Sequence, residues 1–410
     1  MIFNLSIPER LRGAVFGALV LGMALRVAAL VVSANYPIAL PGHPEDVVSP
    51  LVVGGIDNSY YASTKDRLRT AFGQDSLSAW YQAYTYSPFP FPGSFGRKFV
   101  PPFLPAAMLV FGYEGSNALP MALAWSAVSA ALLAVSLIFL AGNGIGIWGL
   151  LLFAAMPHPI FYALAVGTDL PFALASLLFI FAYAAGPGPS RTAMWLTLGI
   201  AAATIRANSV SLLGFAIADM IWLWYWQGER RPREIVVGAL LATGLVALYA
   251  NTFSVYVNDA GYRDQGSAFF GAQQADYVAG IFPSLPDFPN RALSLAALIA
   301  AKLLYLTGLR PPFEEQVSIF TWARALPGLI LFPGLVLAMF RGDARMKLLV
   351  AALVAPPLAG LAQERYILPL LPILFLYGAR FWDGVISRLG AQLRRSDPEY
   401  RVRDRGASAG

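Results

Sequence analysis

The sequence predicts an all-α polytopic membrane protein. Of its 410 residues, 57% are hydrophobic and only 13% are charged, and the mean hydropathy is +0.59. A soluble domain carries about 25% charged residues, so this chain has too little charge to cover a water-exposed surface. Long uncharged stretches alternate with short basic segments along the whole chain. These observations exclude a cytosolic enzyme.

The uncharged stretches predict about 9 to 11 membrane-spanning helices, because a helix of roughly 20 apolar residues crosses a bilayer. The longest, residues 115–168, contains no Asp, Glu, Lys or Arg. The first, residues 11–34, stays apolar apart from Arg26 and has no small-residue cleavage site, so we expect a retained helix rather than a signal peptide. The others are residues 170–190, 192–205, 207–218, 235–258, 325–340, 348–362 and 366–379.

Basic residues predict which helix ends face the cytoplasm. The net basic segments are residues 9–12, 228–234, 341–347 and the tail from residue 388. Such segments stay inside. Residues 35–98 balance five acidic against five basic side chains, and residues 257–291 carry four acidic against two basic, so we expect these two loops outside.

Strict alternation of spans between residues 99 and 228 does not return the 228–234 loop to the cytoplasm. One apolar stretch must therefore stop short of crossing, and residues 99–113 or 144–156 are the candidates because each is short and edged by Gly or Pro. Residues 292–309 are interrupted by Lys302, so we expect an external interfacial helix or a tilted short span there.

The first outer loop is the largest hydrophilic region, and its density of Tyr, Phe, Trp and Pro predicts a folded external subdomain. Within it, the spacing of Leu68 and Phe72 predicts a short amphipathic helix over residues 64–72. The chain thus divides into six segments. They are the cytoplasmic N-terminus and first helix (1–34), the external loop subdomain (35–98), transmembrane helices (99–256), an external loop and interfacial helix (257–324), C-terminal transmembrane helices (325–384) and a basic cytoplasmic tail (385–410).

Composition also limits the chemistry. The chain has no cysteine, which excludes a disulfide framework, a Cys zinc site and a thiolate nucleophile. It has only two histidines, His43 and His158, and offers no clear carboxylate cage, so we expect no metal. The net charge of +6 comes from basic residues at membrane edges, which argues against a nucleic-acid partner.

Four patches between residues 57 and 372 point to one family. They are Asp57, Tyr60 and Tyr61 with Arg97-Lys98 and Pro101-Pro102 in the first outer loop, the segment 155–169 (AMPHPIFYALAVGTD), Arg206-Ala207-Asn208, and the segment 364–372 (ERYILPLLP). In order and hydropathic position they resemble the polyprenol-phosphate-dependent GT-C glycosyltransferases. That superfamily includes protein O-mannosyltransferases, lipid A aminoarabinose transferases and mannosyltransferases of glycolipid anchors.

The resemblance implies a GT-C-like fold and transfer of a sugar from a polyprenyl phosphate to an envelope acceptor, which is a lipid, a glycan or a protein. It implies that the active site faces outside, on a bacterial inner membrane, with the lipid-linked sugar phosphate as donor and no further cofactor. An acid in the first outer loop would take the acceptor proton. Desolvation at the membrane edge can raise the pKa of such a carboxyl group, which makes it a better base near neutral pH.

Three acids compete for roles in this site. Asp57 matches the family's base, although no second acid adjoins it as in some members; it can instead be a solvated loop residue. Asp46, next to Glu45, is the rival base. Asp169 is a candidate for substrate binding or for orienting the base, and its alternative is to cap the following helix.

Cations of the site would stabilise the charge that develops on the departing lipid phosphate. Arg365 is the first candidate because it interrupts two apolar stretches, and Tyr366 belongs to the same patch. Arg206 is the second. The further candidates are Arg97, Lys98 and Arg310. The alternatives are that Arg365 snorkels or pairs with Glu364, and that Arg206 anchors a helix end.

Two other classes remain open. A transporter or flippase of a lipid-linked saccharide would use intramembrane charges along a path, but the sequence shows no inverted repeat. An envelope polysaccharide polymerase or ligase shares large outer loops, and its key arginines would then be Arg263 and Arg310.

Overall fold

The computed structural model describes residues 4–35, 38–40, 43–48, 56–73, 77–85, 99–113, 119–164, 167–186, 188–250, 252–253, 284–309, 319–359 and 364–396. The regular secondary structure of these residues is helical apart from one antiparallel hairpin of β1 (Ile38–Leu40) and β2 (His43–Val48). Pro41 and Gly42 lie between the two strands, and these residue types are typical of a turn. The hairpin belongs to the segment predicted as the first outer loop, where the sequence did not predict strands.

Fifteen α-helices lie in the described part of the chain. The first seven are α1 (Arg12–Asn35), α2 (Ile56–Phe72), α3 (Leu77–Thr85), α4 (Phe103–Val110), α5 (Leu119–Gly142), α6 (Ile147–Ala154) and α7 (Pro157–Leu164). The others are α8 (Asp169–Ala184), α9 (Pro189–Ile205), α10 (Val210–Gln227), α11 (Pro232–Leu248), α12 (Asp287–Leu306), α13 (Ile319–Arg341), α14 (Ala344–Ala359) and α15 (Leu371–Ser396). Short 3-10 helices cover Glu9–Leu11, Ala207–Ser209 and Glu364–Leu370.

Four of the described helical segments are long and apolar enough to cross a membrane. They are Glu9–Val32, Pro120–Gly142, Ala207–Gln227 and Arg365–Leu389. Three shorter apolar segments are Ile147–Ile160, Asp169–Ala184 and Ala325–Arg341. A helical chain with four helices that could cross a membrane is therefore confirmed, whereas the larger number of spans and their orientation stay predictions.

Two of the predicted interruptions coincide with very short helices. The α4 and α6 helices have eight residues each, which at 1.5 Å per residue is about 12 Å and too short to cross the hydrocarbon core. Between α5 and α6 the chain turns at Gly144, whose φ of +89° favours glycine. Both stretches proposed as non-crossing thus contain a helix that cannot cross alone. The predicted amphipathic helix at residues 64–72 lies within α2.

A buried carboxylate joins three helices of the bundle. Asp219 of α10 is fully buried, and Arg345 of α14 donates to it from Nε at 2.8 Å and from Nη2 at 2.7 Å. The Tyr183 hydroxyl of α8 donates to Asp219 Oδ2 at 2.7 Å. This ion pair with its tyrosine fixes α8, α10 and α14 to one another.

The start of α14 is fixed by Asp343. The backbone N–H of Met346 donates to Asp343 Oδ1 at 2.7 Å, as an N-cap requires. Partial burial acts to raise the pKa of Asp343, but this hydrogen bond and the nearby Arg345 outweigh it, and the pKa lies below its usual value. The cap determines where α14 begins and so where Arg345 stands relative to Asp219.

Removing one partner of the buried pair should destabilise the fold strongly. We expect Asp219→Leu to lower the free energy of unfolding by about 3–5 kcal/mol, because Arg345 is left without its carboxylate. Replacing both Asp219 and Arg345 by Leu should restore most of that loss. Thermal unfolding in detergent measures both. The control is Glu229→Gln, which breaks a more exposed pair with Arg231 and should cost at most about 1 kcal/mol.

Helices α13 and α15 approach each other through two glycines. A Cβ atom at Gly334 would overlap the carbonyl oxygen of Leu374, and one at Gly378 would overlap that of Ile330. Small residues allow this backbone contact between membrane helices. On the same α15 helix, a Cβ atom at Gly384 would meet nothing within 4 Å.

The two glycines of α15 should therefore respond oppositely to the same substitution. Gly378→Ala should lower the stability by about 1–3 kcal/mol, because the helices must move apart. Gly384→Ala should raise it by about 0.5–1 kcal/mol through its better helix propensity. Thermal unfolding in detergent measures both variants. Equal effects would mean that this close approach is not required.

Candidate functional site

Four of the predicted site residues lie together where helices end, and we call them the Arg206 cluster: Asp169, Arg206, Arg365 and Tyr366. Asp169 is the first residue of α8. Arg206 follows the last residue of α9, and its extended backbone (φ −146°, ψ 133°) separates α9 from the 3-10 helix Ala207–Ser209. Arg365 and Tyr366 lie in the 3-10 helix Glu364–Leu370. The cluster thus forms where helices begin, end or change to a 3-10 helix.

The centre of the cluster is an ion pair. Arg206 Nη1 lies 2.8 Å from Asp169 Oδ1, and the two side chains are 12% and 11% exposed. The N–H and the oxygen are not aligned, so the contact is an ion pair rather than a linear hydrogen bond. Asp169 lies in the first turn of α8, where a negative charge is favourable, and its carboxylate also holds the guanidinium of Arg206 at the end of α9.

One aromatic ring joins the two arginines. The guanidinium carbon of Arg206 lies 4.6 Å from the centroid of the Tyr366 ring, and that of Arg365 lies 5.3 Å from the same centroid. Phe172, one turn along α8 from Asp169, lies 5.9 Å from Arg206. Contacts of this kind attract a cation to the ring face and hold the planar guanidinium in place.

The 3-10 helix Glu364–Leu370 is anchored by its apolar residues. Ile367, Leu368 and Leu370 are buried in the main core of the bundle. The segment packs against α8, α12 and α14. Its backbone is therefore held by the core, while at its start the Tyr366 ring contacts both Arg206 and Arg365.

The segment predicted to form the outer-loop subdomain is attached to the same helix end. The Val100 N–H donates to the Tyr84 carbonyl at 2.9 Å, and the Tyr84 and Phe99 ring centroids are 5.9 Å apart. Phe99 packs edge-on against Tyr249 at 5.6 Å. The Tyr249 hydroxyl donates to the Ala203 carbonyl in the last turn of α9, at 2.7 Å. Burial raises the pKa of Tyr84 above its usual value, so its hydroxyl stays neutral.

The α2 helix is fixed mainly through its C-terminal half. Lys65 Nζ donates to the Tyr113 carbonyl just after α4, at 2.8 Å. Leu68 and Ala71 are buried in a small cluster with Ala83 of α3. The second residue of α2 is Asp57, so this packing determines the direction of the helix that carries the predicted base.

The structure describes the side chains of four of the nine predicted residues. The side chains of Asp57 in α2 and Asp46 in β2 lie outside the described part of the structure, as do Arg97, Lys98 and Arg310 altogether. The Glu364 side chain, the alternative partner of Arg365, is also outside it. The Arg206 cluster is therefore the portion of the predicted site whose geometry is defined.

Sequence reasoning assigned no role to two buried cations. Lys302 of α12 donates to the Leu358 carbonyl in the last turn of α14, at 3.0 Å. Arg26 of α1 donates to the Ser129 hydroxyl at 2.7 Å and to the Gly22 carbonyl at 2.8 Å. Both had been noted as charges that interrupt apolar stretches, and that signal alone marks intramembrane sites of interest. The contact of Phe172 with Arg206 could not be predicted from the sequence, because phenylalanine is common in apolar helices.

Comparison with known proteins finds no matching family model, no matching curated protein and no matching solved structure. Within the described ranges, no group of three His, Cys, Asp or Glu side chains is placed to hold a metal ion. Inference about function therefore depends on the geometry of the cluster and on the motifs.

The ion pair of the cluster can be tested by a double-mutant cycle. We expect Asp169→Asn and Arg206→Gln to be strongly coupled, by up to about 3 kcal/mol in unfolding free energy, because both side chains are largely shielded from water. The matched cycle is Glu229→Gln with Arg231→Gln, a pair 2.6 Å apart whose carboxylate is more exposed. Its coupling should stay below about 1 kcal/mol. Equal couplings in the two cycles would contradict the shielded pair.

Proposed function

We propose that this chain is a membrane glycosyltransferase, similar to the GT-C class, that moves a sugar from a polyprenyl-phosphate donor to an envelope acceptor. The observation that carries the proposal is the contact of two guanidinium groups, Arg206 and Arg365, with one tyrosine ring beside the carboxylate of Asp169. The proposed location is a bacterial inner membrane, with the site at its outer face.

The charge of the cluster suits a lipid phosphate. Two arginines and Asp169 give the described side chains of the cluster a formal sum of +1 (2 − 1). A sugar phosphodiester carries one negative charge, and the polyprenyl phosphate that leaves carries up to two. Guanidinium groups donate in a planar fork that matches phosphate oxygens. Two of them held near one ring can stabilise the charge that grows as the bond to the sugar breaks.

The proposed reaction is a single displacement at the anomeric carbon. The acceptor oxygen forms the new bond to that carbon, the bond from the carbon to the phosphate oxygen breaks, and the acceptor proton passes to the carboxylate of Asp57. No covalent sugar-enzyme intermediate forms, so the anomeric configuration inverts. Asp46 is the second candidate for the base.

Within the cluster, Asp169 and Tyr366 would act on the arginines rather than on the sugar. The Asp169 carboxylate fixes the position of Arg206, and the Tyr366 ring limits how far the two cations separate. Pre-positioned donors need no reorganisation when charge develops, which is why such arrangements lower barriers. Arg97, Lys98 and Arg310 remain candidates for contacts with the donor or acceptor.

The attachment of the outer loop supports a shared site. The contacts from Tyr84 through Phe99 to Tyr249 link the subdomain that contains Asp57 to the last turn of α9, directly before Arg206. A base and a phosphate clamp must hold a fixed separation if they are to act on one donor. Attachment of both to one helix end provides that constraint.

The test uses purified protein in lipid vesicles with a panel of radiolabelled polyprenyl-phosphate sugars and crude envelope acceptor. We expect donor-dependent transfer that falls about 10²–10⁴-fold in Asp57→Asn, through loss of the base. Arg206→Gln and Arg365→Gln should each lower it about 10²–10³-fold, through loss of charge stabilisation. Arg231→Gln, in the short connection between α10 and α11, is the control and should leave transfer unchanged.

The other outcomes discriminate between functions. Unchanged transfer in a folded Asp57→Asn protein would exclude that base and favour Asp46. Movement of labelled lipid across the bilayer without transfer to any acceptor would contradict the enzyme and support a flippase. Activity that survives both cluster substitutions but not Arg310→Gln would favour the polymerase or ligase class.

A further inference from the structure

The last helix, α15, leaves the core of the bundle midway along its length. Its residues from Leu371 to Leu376 are buried, and so is Gly378. From Arg380 to Leu389 every residue except the half-buried Val385 is exposed. Two hydrogen bonds mark the point of departure. Arg380 Nη2 donates to the Asn143 carbonyl at 3.0 Å, and Trp382 Nε1 donates to the Leu329 carbonyl at 2.8 Å.

The segment before this point already has the length of a span. The 3-10 helix Glu364–Leu370 has seven residues, which at about 2.0 Å each extend about 14 Å. Residues 371–380 of α15 add about 15 Å at 1.5 Å per residue. Together they match the hydrocarbon core of about 30 Å. Residues 381–396 therefore continue beyond the length that crossing requires.

This distal half of α15 nevertheless presents a stripe of large apolar side chains. Trp382, Ile386 and Leu389 follow the i, i+4, i+7 spacing of one helical face, and they are 39%, 65% and 53% exposed. We call them the Trp382 stripe. Such a stripe directed into water would be unfavourable, since each side chain loses the benefit of burial.

The charges that follow the stripe in the sequence indicate what covers it. Arg388 is exposed on the same stretch of helix. From Arg388 to the end of the chain there are six arginines against three acidic residues, a sum of +3 (6 − 3). A second copy of the chain would bring an equal positive charge to the same place. An anionic lipid surface instead satisfies both the apolar stripe and the arginines.

We propose that residues 381–396 of α15 bind the surface of a membrane that contains anionic phospholipid, with the Trp382 stripe inserted at the level of the headgroups. The indole of Trp382 suits this level, because tryptophan is enriched where membrane meets water. The inference is independent of the proposed sugar transfer, since it uses no residue of the Arg206 cluster.

Because the sequence contains no cysteine, one introduced cysteine gives a single labelling site. Single variants Ile386→Cys and Leu389→Cys carry a nitroxide label on the stripe, and Gly384→Cys carries it on another face, where the structure leaves open space. The labelled full-length proteins are reconstituted into vesicles of phosphatidylcholine, alone or mixed with phosphatidylglycerol. Collisions of each label with oxygen and with a water-soluble nickel chelate then report whether it faces lipid or water.

In the mixed vesicles, the labels at residues 386 and 389 should collide mainly with oxygen, and the label at residue 384 mainly with the nickel chelate. In pure phosphatidylcholine the two stripe labels should become more accessible to nickel. Adding Arg388→Gln should lower the ratio of bound to free helix about fivefold, as expected for the loss of one interfacial arginine. Adding Asp383→Asn, which removes an acid from the same helix, should not lower it.

Three results would overturn the proposal. Nickel access to the stripe labels in both kinds of vesicle would mean that the helix projects into water. Shielding from both reagents, with short distances between labels on different chains, would mean that a second copy covers the stripe. Oxygen access that is equal in both vesicles and insensitive to Arg388→Gln would mean that the helix stays in the hydrocarbon without recognising anionic lipid.

Discussion

The fold depends on one buried negative charge. Asp219 lies where water cannot reach it, and only the guanidinium of Arg345 and the hydroxyl of Tyr183 compensate it in the described structure. A carboxylate in such a place is tolerated only when its partners are fixed, so three helices must meet in one arrangement. Two of them extend from this point toward the candidate site. The α8 helix begins with Asp169, and α14 ends against Lys302, on a helix that packs with the Glu364–Leu370 segment.

In the Arg206 cluster, too, charged side chains are held by their partners, but the central groups are cations rather than a carboxylate. Here two cations share one aromatic ring and Arg206 pairs with the carboxylate of Asp169, so the formal positive charge of these side chains is the sign that the proposed phosphate site needs. The Asp219 site is balanced and buried, whereas the Arg206 cluster lies where helices are interrupted and where the outer-loop subdomain attaches. This contrast is why one charged site is interpreted as structural and the other as functional.

The sequence predicted a helical chain with helices that could cross a membrane, because uncharged stretches of sufficient length have few alternatives in a bilayer. Four of the described helices meet the length and hydropathy of a span, and the 9 to 11 spans stay a prediction. It also identified Asp169, Arg206, Arg365 and Tyr366 individually, since a polar residue between apolar stretches is conspicuous. Their mutual contacts were not predictable, because they depend on how distant helices pack. For the same reason the pair of Asp219 with Arg345 was not predictable: Arg345 belongs to another helix, and nothing local connects the two residues. The β1–β2 hairpin was missed in a loop whose aromatic and proline content obscures the alternation of a strand.

The contact between Tyr249 and Ala203 also affects the medium around the candidate site. The last carbonyl groups of a helix have no partner within it, and at the surface they usually bind water. At the end of α9 the Tyr249 hydroxyl donates to one of these carbonyl groups, that of Ala203, in place of water. The Tyr249 ring packs edge-on against Phe99. The Ala203 carbonyl, three residues before Arg206, therefore needs no water molecule as a hydrogen-bond donor. Fewer water molecules near Arg206 would lower the local dielectric constant. An anion placed beside the Arg206 guanidinium would then be attracted more strongly than it would be in solution.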